Sequence, residues 1–241
     1  MGKGVFITGT DTGVGKTFFA CKLAALLRES GYRVGVMKPA ESGCAERQGR
    51  LYPEDAILLK EASASQDPLD KICPYQLREP LAPSVAAQRQ GITLEVDRLM
   101  DVYDEISSGH DITLVEGAGG LMVPLLPSYT YADLARVLKL PVIVIAANRL
   151  GMINHLLLTL EHARCKGLRV LGYVLNRLES GVPLAAETNR EALSTLTAVR
   201  CAGELPFVAA SEDAYNKAAY SFAEQFDLRI IDSVLCERPL R

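Results

Sequence analysis

Gly9-Thr10-Asp11-Thr12-Gly13-Val14-Gly15-Lys16-Thr17 stands between a short apolar run, Val5-Phe6-Ile7, and an apolar-periodic segment from Phe18 to Leu27. The order is strand, glycine-rich turn, helix, which a phosphate-binding loop requires. Glycines let successive backbone N–H groups converge on one anion, and the new helix points its positive dipole end at the same place. In such a loop Lys16 reaches the terminal phosphates and the Thr17 hydroxyl ligates Mg²⁺. Thr10 replaces the usual first glycine of the pattern, and Gly9 lies one residue earlier. The segment predicts that the chain binds a nucleoside triphosphate.

Outward from this loop, β-branched runs predict strands at Val5–Thr8, Arg33–Lys38, Ile112–Glu116, Val142–Ala147, Val170–Asn176 and Ala202–Leu205. Helical patterns fall between them at Lys16–Ser30, Glu54–Glu61, Ser84–Gln90, Leu94–Ser107, Tyr131–Lys139, Met152–Cys165 and Leu184–Leu196, with a last one over Ala214–Gln225. Alternating strands and helices predict an α/β fold, a mostly parallel central sheet with helices on both faces. The unbroken apolar character of Val142–Ala147 agrees, because a central parallel strand is buried on both sides. Gly31 and Gly167 are placed to stop helices. No repeat, low-complexity tract or linker divides the chain, so residues 1–241 are expected to form a single domain. The proline-punctuated, polar stretch from Ala40 to Pro83 is the irregular part, expected to fold over the sheet edge as part of a site.

Composition narrows the function classes. A hydrophobic content of 49% over 241 residues can bury a full core. A net charge of −3 without any Lys/Arg run gives no reason to expect a nucleic-acid partner. Apolar runs such as Pro141–Ala147 are far too short to span a bilayer. The amino terminus passes directly into the first strand, leaving no room for a signal peptide. Cysteines 21, 44, 73, 165, 201 and 236 form no Cys-x-x-Cys pair, and read as reduced, mostly buried small residues. A cytoplasmic protein without membrane attachment is expected.

In an open parallel sheet, ligands bind at the carboxyl ends of the strands. The residues there are Lys38-Pro39 with Ser42-Gly43, Glu116 with Gly117-Ala118-Gly119-Gly120, Asn148 with Leu150-Gly151, Asn176, and Pro206. A carboxylate such as Glu116 at a buried strand end needs a cation, and Mg²⁺ supplies one. Lys38 is a second ammonium at the edge that holds Lys16, which suits a polyphosphate and a transferring phosphoryl group. Asp55, near a helix start, fits either a dipole partner or a site carboxylate, and spacing alone leaves both open. The helix start from Leu150 to His155 offers free amides to a carboxylate or simply caps. His155 and His162 lie seven apart on one helix, a spacing wrong for a metal pair and suited to packing or an interface. Asn176 can meet an adenine edge or close a turn.

Taken in order, these motifs resemble the dethiobiotin synthetases over nearly the whole length, and with them a P-loop NTPase-like fold. They are Thr8 to Thr17, Lys38-Pro39 with Ser42-Gly43, Asp55, Val115-Glu116-Gly117-Ala118-Gly119-Gly120, Leu150-Gly151-Met152-Ile153-Asn154-His155, Asn176 and Gly203-Glu204-Leu205-Pro206. The resemblance implies that 7,8-diaminopelargonic acid, CO₂ and ATP give dethiobiotin, ADP and phosphate. It implies nucleotide contacts from Thr12, Gly13, Val14, Gly15, Lys16 and Thr17, with Lys38 and Lys16 at the transferring phosphoryl group. Thr17, Asp55 and Glu116 would be the Mg²⁺ side. Ser42, Thr12 and the backbone near Gly119 would face the substrate, and Asn176 and Pro206 the adenine. It implies a homodimer in which Gly151 to Asn154 clamp the substrate carboxylate across the interface. Glu41 departs from the pattern, where a smaller or amide residue is expected.

Two rivals share the sheet. Partitioning and septum-positioning switch ATPases carry an additional lysine where this chain has Asp11, and no basic amphipathic tail for membrane docking is visible here. Glutamine-dependent amide ligases need a glutaminase domain with a nucleophilic cysteine, which this length does not accommodate.

Overall fold

The computed structural model describes residues 3–181, 184–208 and 222–235. Its elements run β1 (Gly4–Gly9), α1 (Lys16–Glu29), β2 (Val34–Met37), β3 (Ala40–Ser42), β4 (Ala45–Arg47), β5 (Arg50–Tyr52), α2 (Glu54–Ser63), α3 (Leu69–Ile72), β6 (Tyr75–Leu77), α4 (Pro83–Arg89) and α5 (Val96–Ser108). There follow β7 (Ile112–Glu116), β8 (Pro124–Leu126), β9 (Tyr129–Thr130), α6 (Tyr131–Val137), β10 (Val142–Ala147), α7 (Met152–Cys165), β11 (Val170–Asn176), α8 (Leu184–Leu196), β12 (Cys201–Leu205) and a closing helix, Arg229–Leu235. Six parallel strands form one sheet in the order β12-β11-β10-β1-β7-β2.

All six predicted strands are present, and together they make this sheet. Its centre is buried on both faces. Along β1, Val5 and Ile7 join the cluster under α1 and α2, while Phe6 joins the cluster under α5, α6 and α7. Strand β10 alternates in the same way, with Ile143 and Ile145 on one side and Val142 and Val144 on the other. Helix α1 buries Phe19, Ala20, Leu23, Ala24 and Leu27, the 3–4 spacing of one helical face. Full burial of a leucine-sized side chain stabilises by about 1.5–3 kcal/mol. Gly31 ends α1 at φ +89, with the Tyr32 amide reaching back to Leu27 O at 3.1 Å. Gly167 ends α7 at φ +69 in the same geometry, with Leu168 N to Ala163 O at 2.9 Å.

The region from Ala40 to Pro83 is more regular than expected. β3 pairs in parallel with β6, β4 and β5 form an antiparallel hairpin, and α3 is a short turn of helix. Strands of three residues are too short to display an alternation, so periodicity could not report them. Cys21, Cys44 and Cys73 are buried, whereas Cys165 is exposed and Cys201 partly so. Of the helix expected at Ala214–Gln225, only residues 222–225 are described, and they are helical; the rest lies outside the described residues.

Candidate active site

The chain reverses its winding beside β1. From β1 it crosses to β2, outside β7, and later returns on the other flank with β10. The carboxyl ends of β1, β7 and β2 therefore share one crevice, which places the glycine-rich loop and Lys38 together. Within the loop, Gly13 and Gly15 take φ +74 and +93. Gly15 admits no side chain, because a Cβ there would lie 2.1 Å from Asn176 Nδ2. That amide donates to Val14 O at 3.0 Å and ties the loop to the end of β11. Asn176 thus serves as a brace for the loop, a role set by this long-range contact rather than by its neighbours along the chain.

Register then assembles the charged groups. Ile7 pairs with Glu116 and Met37 with Val115, so Lys38 emerges level with Glu116. Lys38 Nζ donates to Glu116 Oε1 and to Asp55 Oδ2, each at 2.6 Å, and the Thr17 hydroxyl donates to Glu116 Oε1 at 2.8 Å. Neither Lys38 nor Glu116 is a solvated surface group; they are 2% and 1% exposed. Burial alone would lower the Lys38 pKa, but the Glu116 and Asp55 carboxylates outweigh it and raise it above the ordinary lysine range. Asp55 is held below its ordinary value, since Lys38 overrides its burial. Lys16 has the opposite fate. Burial, with help from Lys38, lowers it to about 8, and its Nζ rests on Asp11 O at 3.0 Å.

Glu116 Oε2 is buried and has no hydrogen-bond partner. An orphaned carboxylate oxygen beside the Thr17 hydroxyl and Asp55 fits Mg²⁺. That ion takes one or two carboxylates and completes its octahedron with phosphate and water. No cluster of three or more His, Cys, Asp or Glu that could hold a metal occurs among the described residues.

Thr12, Gly13, Gly15, Lys16, Thr17, Lys38, Ser42, Asp55, Glu116 and Gly119 all line one cavity of about 740 Å³. Val14 is buried and does not line it. Asn176 and Pro206 do not line it. The pairing of Asn176 with Leu205 sets Pro206 at the neighbouring strand tip. Gly151 and Asn154 are exposed and also stand outside this cavity. Gly151 starts α7 in the left-handed conformation, at φ +89. Beside them a second cavity of about 320 Å³ is lined by Asp11, Thr12, Gly119, Met122, His155 and His162 among others.

Two features of the main cavity are set by tertiary packing. Its far wall is apolar, made by Pro80, Leu81, Ala82, Pro83, Ala118 and Val123; the first four come from the stretch from Ala40 to Pro83, which lines the cavity as expected, though its apolar character there was not. Glu41, which had looked like a departure, is buried with its oxygens on the Asp55 and Ala56 amides at 2.9 and 3.0 Å. Burial pushes its carboxyl up to about 7, with Asp55 adding to the shift and Lys38 and the two amides opposing it.

Similarity to known proteins agrees with this geometry. A family model described as an AAA domain matches residues 3–214. An ATP-dependent dethiobiotin synthetase from Thermodesulfovibrio yellowstonii is 38% identical, covering 97% of this chain and 100% of its own length. One from Anaeromyxobacter dehalogenans is 45% identical over 80% of this chain and 89% of its own. Among solved structures, a MinC:MinD cell division complex from Aquifex aeolicus aligns with a TM-score of 0.57 at 18% identity, covering 99% of this chain and 98% of that one. A ParA family ATPase from Chlorobium tepidum aligns at 0.54 and 17%, covering 98% and 100%. Likeness at that identity speaks for the fold alone, whereas the two sequence relatives are 38% and 45% identical over 97% and 80% of the chain. The chain belongs to the ATP-dependent dethiobiotin synthetase family.

Proposed function

We propose that this protein is a cytoplasmic ATP-dependent cyclo-ligase, working as one domain per chain and as a homodimer. It joins CO₂ to 7,8-diaminopelargonic acid to form the ureido ring of dethiobiotin, releasing ADP and phosphate. The observation that carries the proposal is the shape of the main cavity. It runs from the phosphate loop past Lys38 to an apolar wall at Pro80–Pro83, which leaves room for a second, partly aliphatic reactant beside the nucleotide.

One amine of the diamine captures CO₂ as a carbamate. A carbamate acylates poorly because its leaving group would be oxide, so its oxygen takes the γ-phosphoryl group and becomes a carbamic–phosphoric anhydride. The second amine attacks the carbonyl, the C–O bond to phosphate breaks, and the five-membered ring closes. The residues from Thr12 to Thr17 cradle the phosphates, with Lys16 on the terminal ones. Thr17, Asp55 and Glu116 would hold Mg²⁺, which when bound neutralises phosphate charge and orients the transfer. Lys38 stays protonated between two carboxylates, and supplies a fixed positive charge where the carbamate and the moving phosphoryl group meet. Ser42 and the Gly119 backbone orient the amines, Asn176 and Pro206 flank adenine, and the apolar wall keeps water from the anhydride. Gly151 and Asn154 hold the substrate carboxylate from the second chain. The exposed side chains Met122, Leu150 and Leu158 (68%, 87% and 61%) on that side support a covered face.

The test is phosphate release from ATP with Mg²⁺, bicarbonate and the diamine, each omitted in turn. A synthetase is nearly silent without the diamine. Turnover indifferent to it would return the protein to the switch ATPases.

A further inference from the structure

Helix α2 begins without a cap of its own. Its N-cap residue is Pro53, which offers no side-chain acceptor, and no side-chain cap hydrogen bond is made there. The first intrahelical bond runs from Ile57 N to Pro53 O at 3.0 Å, so the amides of Asp55 and Ala56 must find partners elsewhere. Both find Glu41. One carboxylate oxygen takes the Asp55 amide and the other takes the Ala56 amide, across fourteen and fifteen residues of chain. Glu41 lies on β3, one residue before Ser42, and is 7% exposed. Asp55, the residue it grips by the backbone, is the one whose side chain reaches Lys38 Nζ.

From this we infer that Glu41 is a positioning residue for the reaction. It caps α2 from outside the helix and thereby holds the Asp55 carboxylate on Lys38 and at the Mg²⁺ position. The helix start attracts Glu41 by its dipole and free amides, which opposes the repulsion between it and Asp55. Without the grip, Asp55 and Glu41 repel and the first turn of α2 is free to fray away from the cavity. The inference rests on the proposed Mg²⁺ role of Asp55.

The experiment is ADP binding by calorimetry, with and without Mg²⁺, in Glu41→Gln and Glu41→Ala, at a temperature well below melting. Loss of a partner that orients a metal ligand costs about 10–100-fold in metal affinity. The Mg²⁺ concentration that half-maximally tightens ADP should rise about tenfold in Glu41→Gln, which keeps one acceptor, and more in Glu41→Ala. ADP affinity without Mg²⁺ should stay within about twofold, because the phosphate loop is untouched. Amide hydrogen exchange at Asp55 and Ala56 should accelerate in both variants. Adding Pro53→Ser to Glu41→Ala supplies an ordinary N-cap and should recover much of the Mg²⁺ response.

Unchanged Mg²⁺ midpoints in both variants would overturn the inference and leave Glu41 a stabilising cap. Recovery of melting temperature but not of the Mg²⁺ response by Pro53→Ser would also overturn it, since Glu41 would then act on the cation itself. A wild-type protein indifferent to Mg²⁺ would instead refute the metal role of Asp55, and the inference with it.

Discussion

Lys16 and Lys38 face the same cavity, and their surroundings push them in opposite directions. Lys38 sits between two carboxylates and keeps its proton, whereas Lys16 is desolvated and falls from 10.5 to about 8 in the free protein. Between about 8 and 10.5 the folded chain therefore holds fewer protons on Lys16 than the unfolded chain, so this residue's contribution to stability rises with pH across that window. A bound polyphosphate should restore the proton. ADP binding above pH 8 should take up a proton, and affinity should fall by up to about tenfold per pH unit through the window. Calorimetry in buffers of different ionisation enthalpy measures the uptake. Lys16→Met should abolish it, and a wild type without buffer dependence would contradict the assignment. Lys38→Gln addresses the chemistry: turnover should drop by about 10²–10³, with Mg·ADP affinity changed by less than about threefold. Equal losses in both would make Lys38 a mere nucleotide contact.

Among the elements, the glycine-rich loop depends on a strand far away in sequence. Asn176, at the end of β11, fills the space where Gly15 would carry a Cβ and holds Val14 O. Gly15→Ala meets both a left-handed φ and a collision, and should destabilise by about 1–3 kcal/mol and weaken nucleotide binding sharply. Adding Asn176→Ala removes the collision but not the φ strain. The double variant should be more stable than the sum of the single effects, a coupling that denaturant titration of the four-protein cycle measures. Simple additivity would show that the brace does not press on the loop.

At the level of the whole molecule, Gly151 and Asn154 are proposed site residues that are exposed in their own chain and stand outside the main cavity. If a second chain brings them to the diamine, Asn154→Ala should raise its apparent KM about tenfold or more while ATP binding is unchanged, the loss of a hydrogen bond to a charged group. Mixing gives the sharper measurement. Asn154→Ala and Lys38→Gln chains, each impaired alone, would form a mixed dimer with one intact site, and activity should return on mixing. No recovery on mixing would place the whole site within one chain.

The division between sequence and tertiary structure follows from the range of the interactions. The phosphate loop, the six main strands and the stops at Gly31 and Gly167 were all readable along the chain. Each is encoded by neighbours, through a glycine's accessible φ, a buried strand's unbroken apolar run or a helix's 3–4 spacing. Glu41 could not be read that way. Its role is set by two amides of α2 that only the tertiary fold brings near, and on the chain it is simply an acid between Ala40 and Ser42. The same holds for Asn176 under the loop and for Lys38 between Asp55 and Glu116, contacts spanning from 17 to 162 residues. The local sequence determined which pieces of backbone could cradle phosphate. The parallel register of β1, β7 and β2 decided which charges would meet there, because strand pairing alone carries such distant side chains to a common edge.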